Sequence, residues 1–593
     1  MKLASKGFTI TFVNTHSIHH QITKATSNQT DHDNDIFSDA RKSGLDIRYK
    51  TVNDGFPLGF DRSLNHDQFM EGIFHVFSAH VDQLVGDIVR NSDPQVSCLI
   101  ADTFYVWSSM ISKKYNLINI SFWTEPALVL NLYYHLDLLR AHGHFASIDN
   151  REDTIDYIPG VRAIEPKDLM SYLQATDTST IVHKIMFKAF ADVKMADFII
   201  CNTVQELEPA TLTALQEKQP TYAIGPIFPT GFAKSPVATS LWSESECTQW
   251  LHNKPPKSVL YVSFGSYAHA SKNDIVEIAE GLLLSEVSFI WVLRPDIVSS
   301  DETEFLPVGF EENIKGRGLI VTWCCQIDVI SHSAIGGFLT HCGWNSILES
   351  IWCGVPLLCF PLLTDQFTNR KLAVDDWKIG LNLCDDNNNK PITRKQVSDK
   401  IHRLMRRKSG DDDDDDDDEL IKNIKDVKRT LENALSSANG SSERNFHQFI
   451  NDVGGEEACL WGSWSRFSEE SSNVNEIGVS FEDFDELLNG FKVHAFGIPT
   501  AIVVTECVKV NSGDYTPRNF EELQSSLENA GACKVAFNPI ANNSMKKSLL
   551  RICRQEQCSL TAEQIDLLAK GKLRACCSQK EGLKLLSSST KEG

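Results

Sequence analysis

The side chains with the most chemistry in their spacing lie between Trp323 and Gln366, in WCCQIDVISHSAIGGFLTHCGWNSILESIWCGVPLLCFPLLTDQ. The apolar run from Gly337 to His341 predicts a strand that ends in Cys342-Gly343, and a helix opens at Trp344-Asn345-Ser346. A glycine at that junction lets a ligand approach the backbone. The free first-turn N–H groups and the helix dipole then attract a phosphate. His341, at the carboxyl end of the strand, is placed to donate to the same anion. Glu349 falls on the first turns of the helix, where a carboxylate accepts from two vicinal hydroxyls of a ribose. Trp323 ends the preceding strand and offers a face to a flat base. Asp365 and Gln366 follow the strand VPLLCFP and bring an acceptor and an amide donor to the height of a sugar.

The opening W-x-x-Q, the central THCGWNS, and then LES, GVP and DQ occur in the order of the signature box of plant secondary-product glycosyltransferases, which this stretch resembles. The resemblance extends over residues 1–453, through YAIGP (222–226) and SVLYVSFGS (258–266), and points particularly to the 86A-type subfamily. It implies inverting transfer of a sugar from a UDP-sugar to a hydroxyl of a small hydrophobic acceptor, with neither metal nor other cofactor. In that reading Trp323 stacks on uracil, Gln326 and nearby backbone contact the uridine, and Glu349 holds the ribose. His341, Asn345 and Ser346, with Ser266 of the SFGS loop, hold the diphosphate; Trp344, Asp365 and Gln366 contact the sugar. The terminal Gln366 implies UDP-glucose as donor.

The resemblance also implies a proton-accepting histidine in a PxQGH-like loop after the first strand, oriented by an aspartate. Asp102, in LIADTFYVW, matches the aspartate; the QGH segment has no counterpart here. MKLASKGFTITFVNT matches the end of the family's first helix and its second strand, so the expectation is an N-terminally truncated domain with Asp102 deprived of its histidine. His16, His19 and His20 follow the first strand present and are the candidates for a substitute base, against their ordinary reading as loop histidines. Asp102 itself also reads as a simple cap after a strand. Two outcomes stay open: an active glycosyltransferase, or an inactive protein or fused gene product that holds UDP-sugar without turnover.

These residues need a frame that presents loops at the carboxyl ends of parallel strands. Short β-rich apolar runs alternate with helical stretches: residues 7–15, 45–52, 96–102, 116–123, 196–203 and 221–228, then 257–266, 288–295, 318–323, 334–343 and 355–361. Such runs, apolar on both faces, predict parallel sheets covered by helices. The expected fold class is α/β, with two Rossmann-like domains facing a cleft, the arrangement termed GT-B. An acceptor-binding domain over 1–228 and a linker over 229–257 precede a UDP-sugar-binding domain over 258–453. That domain includes an acidic loop, 409–419, and closing helices from about Leu420.

A linker over 454–475 leads to a segment at 476–570 and a tail at 571–593. GIPTAIVVTECVKVNSG and the run from Gly531 to Gly571 resemble part of a checkpoint clamp loader of the replication-factor-C-like ATPase class. No G-x-x-x-x-G-K-[ST] loop occurs in the chain, so the segment reads as a fragment without ATPase activity.

Composition narrows the partners. The chain has 593 residues and a net charge of −22, eight charges of which lie in Asp411–Asp418. With no basic face to neutralise phosphates, nucleic-acid binding is not expected. Sixteen scattered cysteines without a CxxC pair fit a reducing compartment, and no apolar run is long enough to span a membrane. A monomeric cytoplasmic protein is the expectation.

Overall fold

All eleven of the short apolar runs contain a strand, and the central ones are shielded on both faces; in β7 (Val259–Ser263) all five residues are buried. The computed structural model describes residues 1–26, 36–62, 65–147, 153–228, 232, 242–266, 268–298, 305–384, 391–406, 415–436, 439–454, 476–478, 501–503, 573–578 and 582–587. Residues 229–231 and 233–241 of the expected linker 229–257, nearly all of the linker 454–475, the run 409–414 and nearly all of the 476–570 segment fall outside them.

The chain divides into two units, Met1–Ile111 with Ile120–Phe446, and Ser112–Asn119 with His447–Gly593. The first contains three parallel sheets, apart from the first two residues of one strand. β1 (Ile10–Thr15) and β2 (Ile47–Val52) pair with each other. β3 (Cys98–Asp102), β4 (Ile118–Trp123), β5 (Phe198–Cys201) and β6 (Thr221–Ala223) form a four-stranded sheet in that order. Six strands make the third sheet: β7, β8 (Ser288–Val292), β9 (Gly318–Val321), β10 (Ile335–Thr340), β11 (Leu357–Cys359) and β12 (Gly380–Asn382). Their spatial order is β12-β11-β10-β7-β8-β9. The strand order reverses between β7 and β10, and at such a crossover parallel sheets open a ligand crevice.

Register places the chemistry. Thr340 at the end of β10 lies opposite Ser263 of β7 and Cys359 of β11, and Ser263 lies opposite Val292 of β8. The loops after these four strands therefore emerge at one level. The helix starting at Ser441 returns to the four-stranded half: Ser442 Oγ donates to Gly225 O, and Asn445 Nδ2 to Ala223 O at 2.9 Å.

Three expectations are corrected. β12 is a strand that the sequence did not suggest; its three residues are too few to show a period. The helix expected from about Leu420 begins at Asp415 and runs to Ala434, taking in part of the acidic run, since a helix N-terminus tolerates acidic residue types. The stretch from Pro126 to about His144, whose sequence predicts one long helix, forms two, Ala127–Tyr134 and Leu136–Ala141, broken at His135. In the second unit the described strands form two separate pairs. β13 (Glu476–Gly478) runs parallel to β14 (Ala501–Val503), and β15 (Leu573–Ser578) is antiparallel to β16 (Gly582–Ser587). Among the described residues no helix is long and apolar enough to cross a membrane.

Candidate active site

The helix Trp344–Cys353 opens with Gly343 as its N-cap, in extended conformation, and no side chain caps it. Its first N–H groups are thus not taken by a side chain, and a helix terminus in that state can receive an anion. Gly354 ends the helix in the left-handed conformation that only glycine adopts freely. The residue before the N-cap, Cys342, has φ +67°, a strained value for a residue with a side chain, held by full burial and by its N–H bond to Thr340 Oγ1 at 3.1 Å.

His341 packs its imidazole against two glycines. A Cβ added at Gly265 or at Gly343 would lie 2.5 Å from His341 Nε2. Both glycines are therefore required by close approach. Burial first, and the Arg294 guanidinium second, push the His341 pKa down to about 4. His341 is thus a neutral N–H donor, and it does not bring the positive charge that neutralisation of a leaving diphosphate would call for.

Arg294 supplies what the sequence motifs missed. It follows β8, is 1% exposed, and donates to Gly265 O and, at 2.7 Å, to Ala268 O, while Nε bonds Asp296 at 3.0 Å. It holds the SFGS loop in place, with Ser266 exposed at its tip. Its position at the carboxyl end of SFIWVLRP was the available signal.

Gln326, Ser346 and Glu349 form one cluster. Gln326 Nε2 donates to Glu349 Oε2 at 2.7 Å and to Ser346 Oγ at 3.1 Å, while its carbonyl accepts from the Tyr261 hydroxyl at 3.2 Å. Gln326 thereby orients Glu349. Burial raises the Glu349 pKa and the Gln326 bond lowers it. Trp323 lies beside them, half-buried, its carbonyl fixed by Ser245 N at 2.9 Å.

The remaining residues reach the other half of the unit. Trp344 is 4% exposed and its Nε1 donates to Asn202 O at 2.6 Å, so its ring is anchored inward and only its backbone faces the crevice. Asn345 is exposed and accepts from Asn202 Nδ2 at 3.1 Å. Asp365 is buried; Thr364 Oγ1 bonds one oxygen at 2.7 Å and Asn369 Nδ2 the other at 2.5 Å. Gln366 spends its carbonyl on Leu362 N (2.9 Å) and Leu363 N (3.0 Å), leaving its amide NH2 as a donor. The loop is clasped from the four-stranded half: Ser171 Oγ accepts from Thr364 N at 2.9 Å, and Ser171 N donates to Thr364 O at 3.1 Å. Nearby, Asp168 and Arg370 form a buried ion pair.

Asp102 ends β3, half-buried, with Oδ1 accepting from Phe104 N at 2.9 Å; burial raises its pKa. The Phe104 bond makes a turn after the strand; the next helix begins only at Ser108, so Asp102 does not cap it. His16, His19 and His20 instead line a separate cavity of about 340 Å³ with Thr23 and Leu58, and His19 Nδ1 is bonded to Tyr49 Oη at 3.0 Å. Among the described residues no histidine bonds Asp102, and no group of three or more His, Cys, Asp or Glu is placed to hold a metal.

The family described as UDP-glucoronosyl and UDP-glucosyl transferase matches residues 243–408, which contain the helix, its glycines and the Asp365 loop. Over 485 residues, 81% of this chain and 94% of the relative, the sequence is 63% identical to UDP-glycosyltransferase 86A1 of Arabidopsis thaliana. The chain belongs to the UDP-glycosyltransferase family. Against UDP-glycosyltransferase 86A2 of the same plant it is 58% identical, over 76% of this chain and 90% of the relative. Among solved structures, UDP-glucose: anthocyanidin 3-O-glucosyltransferase in complex with UDP superposes with a TM-score of 0.62 at 25% identity, covering 76% of this chain and 94% of that one. Os79 from O. sativa in complex with UDP gives 0.61 at 23%, covering 76% and 95%. As a UDP-glycosyltransferase, the chain is an enzyme by family, of GT-B fold with two Rossmann-like domains, that transfers sugar from a UDP-sugar with inversion.

Proposed function

We propose that this chain transfers glucose from UDP-glucose to a hydroxyl of a small hydrophobic acceptor. The observation that carries this reading is the uncapped helix N-terminus at Gly343, with the Gln326–Glu349 cluster on one side and the Asp365–Gln366 loop on the other. Trp323 stacks on uracil and Glu349 takes the ribose hydroxyls. The N–H groups of Trp344, Asn345 and Ser346, with Ser266 and His341, take the diphosphate. As the glycosidic carbon–oxygen bond breaks, charge gathers on the departing UDP. Fixed donors aimed at that oxygen stabilise it without a metal, and His341 takes up positive charge only once the anion is beside it. Asp365 accepts from the sugar and the Gln366 amide donates to it. Relatives named as glucosyltransferases support glucose as the sugar, among them 7-deoxyloganetin glucosyltransferase of Gardenia jasminoides at 35% identity.

The acceptor site lies among loops after β2 and β4, including DGFPLGFDR (54–62) and SFWTEPALVLNLYYH (121–135), whose apolar and aromatic side chains suit a flat aglycone. Asp102 stands there as the carboxylate that matches the base's partner, with no described histidine bonded to it. The domain limits 1–228 and 258–453 belong to the same reading, as does a passive 476–570 fragment that lacks a phosphate loop. An assay of UDP release with a panel of phenolic acceptors tests it. Acceptor-dependent release from UDP-glucose is the expected result. Binding of UDP-glucose with no release on any acceptor would favour a sugar-nucleotide-binding protein without turnover.

A further inference from the structure

A carboxamide serves an anion in only one of its two orientations, with the NH2 toward the charge and the oxygen away. For Asn345 that choice is made outside the box, by Asn202. Asn202 follows β5 and is 4% exposed. Its Nδ2 donates to Asn345 Oδ1 at 3.1 Å. Its own orientation is set by a backbone N–H, a group that can only donate: Ile227 N lies 2.9 Å from Asn202 Oδ1. The donors therefore run one way, from Ile227 through Asn202 to Asn345. Asn345 is exposed, and among the described residues its Nδ2 has no acceptor, so its NH2 is left for a ligand.

The main chain of Asn202 holds the same helix. Asn202 O accepts from Trp344 Nε1 at 2.6 Å, and Asn202 N donates to Trp123 O, at the end of β4, at 2.9 Å. Main-chain and side-chain groups of one residue thus tie β4 to the first two residues of the helix Trp344–Cys353. The segment that carries Ile227 is fixed against Asn202. A Cβ at Gly225 would lie 2.6 Å from Asn202 C and 2.8 Å from Asn202 Oδ1, so only glycine passes here. Gly225 N donates to Thr203 O at 2.9 Å, and Gly225 O accepts from Ser442 Oγ. A buried amide whose donor and acceptor are both committed holds one orientation and imposes it on its neighbour.

We propose that Asn202 is a positioning residue of the donor site, which turns the Asn345 carboxamide so that its NH2 faces the diphosphate. The proposal rests on the reading of the Gly343 terminus as the diphosphate site. Calorimetry on the full chain at pH 8, with UDP and with uridine, which lacks the phosphates, tests it. Asn202→Asp keeps the shape and the Ile227 bond, but an ionised carboxylate cannot donate. The Asn345 amide then turns its NH2 to the new carboxylate and its oxygen to the diphosphate. The ratio of UDP to uridine affinity is expected to fall about tenfold, the size of one hydrogen bond to a charged group. Asn202→Ala leaves Asn345 free in both orientations, and the ratio is expected to fall only about twofold. A purely structural role predicts the reverse order, since alanine loses more contacts. In an Asn345→Ala background, Asn202→Asp is expected to lose most of its effect. An equal loss in the wild-type and Asn345→Ala backgrounds would show charge acting at a distance and overturns the proposal. A ratio unchanged in Asn202→Asp, or lowered as much by Asn202→Ala, also overturns it while the donor reading stands. A wild type that binds UDP no better than uridine overturns the diphosphate reading, and this inference with it.

Discussion

The six-stranded sheet and the β1–β2 ribbon begin from similar apolar runs and end differently. In the large sheet β7 and its neighbours β8 and β10 are shielded almost throughout, by helices on both faces. In β1, Phe12 and Val13 remain 42% and 38% exposed, and the ribbon rests on a small cluster of Ala4, Phe37, Ala40 and Ile47. β1 and β3 are each the edge of their own sheet, and Ile100 of β3 is 37% exposed. A strand is held as firmly as its two neighbours and two faces allow, and a two-stranded unit is marginal alone. The nucleotide end of the site is therefore built on the stiffest part of the chain. The region of His16 and Tyr49 is built on the least supported part.

That contrast is most severely tested at the clasp between the halves. Arg370→Ala should cost about 3–5 kcal/mol, because Asp168 is left buried without its partner. Urea denaturation would measure it. The loss should shrink below about pH 6, since burial lifts the Asp168 pKa to about 6 against the lowering effect of Arg370, and a protonated Asp168 no longer needs a cation. A loss under 1 kcal/mol at pH 8 would mean that the halves are held elsewhere.

Next in size is an acid effect from the stiff half. His341 has a depressed pKa in the folded chain, near 4, against an ordinary value of about 6.5. Its contribution is fully present above pH 6.5 and is lost as pH falls toward 4. The shift corresponds to roughly 3 kcal/mol at most. His341→Gln should flatten the fall in thermal midpoint between pH 7 and pH 5; an unaltered fall would place the acid sensitivity in other groups. Glu349→Ala should then weaken UDP by about 10- to 100-fold, the size of charge-assisted hydrogen bonds to the ribose, as read by calorimetry. The smallest effect belongs to the ribbon: Phe12→Ser should cost about 1 kcal/mol, since Phe12 is 42% exposed and, of the described rings, meets only those of Phe37 and Tyr49. A cost of several kcal/mol would show that β1 is buried in solution and would remove the contrast.

The sequence carried the site unevenly. Trp323, Gln326, His341, Ser346, Glu349 and the Asp365–Gln366 pair were legible because each is fixed by local order: strand end, first turn, next strand end. The inward anchoring of Trp344 was not legible, since it depends on Asn202, which is 142 residues away in the chain. Arg294, Ser171, Asp168 and Arg370 stayed hidden for the same reason; each acts across the fold on a backbone carbonyl, a loop or a partner that no local period marks. Among elements, the long buried strands were clear, whereas the three-residue β12 and the break at His135 had no pattern to give them away.

The Ser171–Thr364 clasp has a practical consequence for anyone recombining such proteins. The box from Trp323 to Gln366 contains the groups proposed for both nucleotide and sugar, yet the Asp365 loop is held by a serine outside it. A chimera given only a new box should inherit its base and ribose contacts intact. Its choice among hexoses should follow the recipient's 166–175 segment as much as the transplanted sequence.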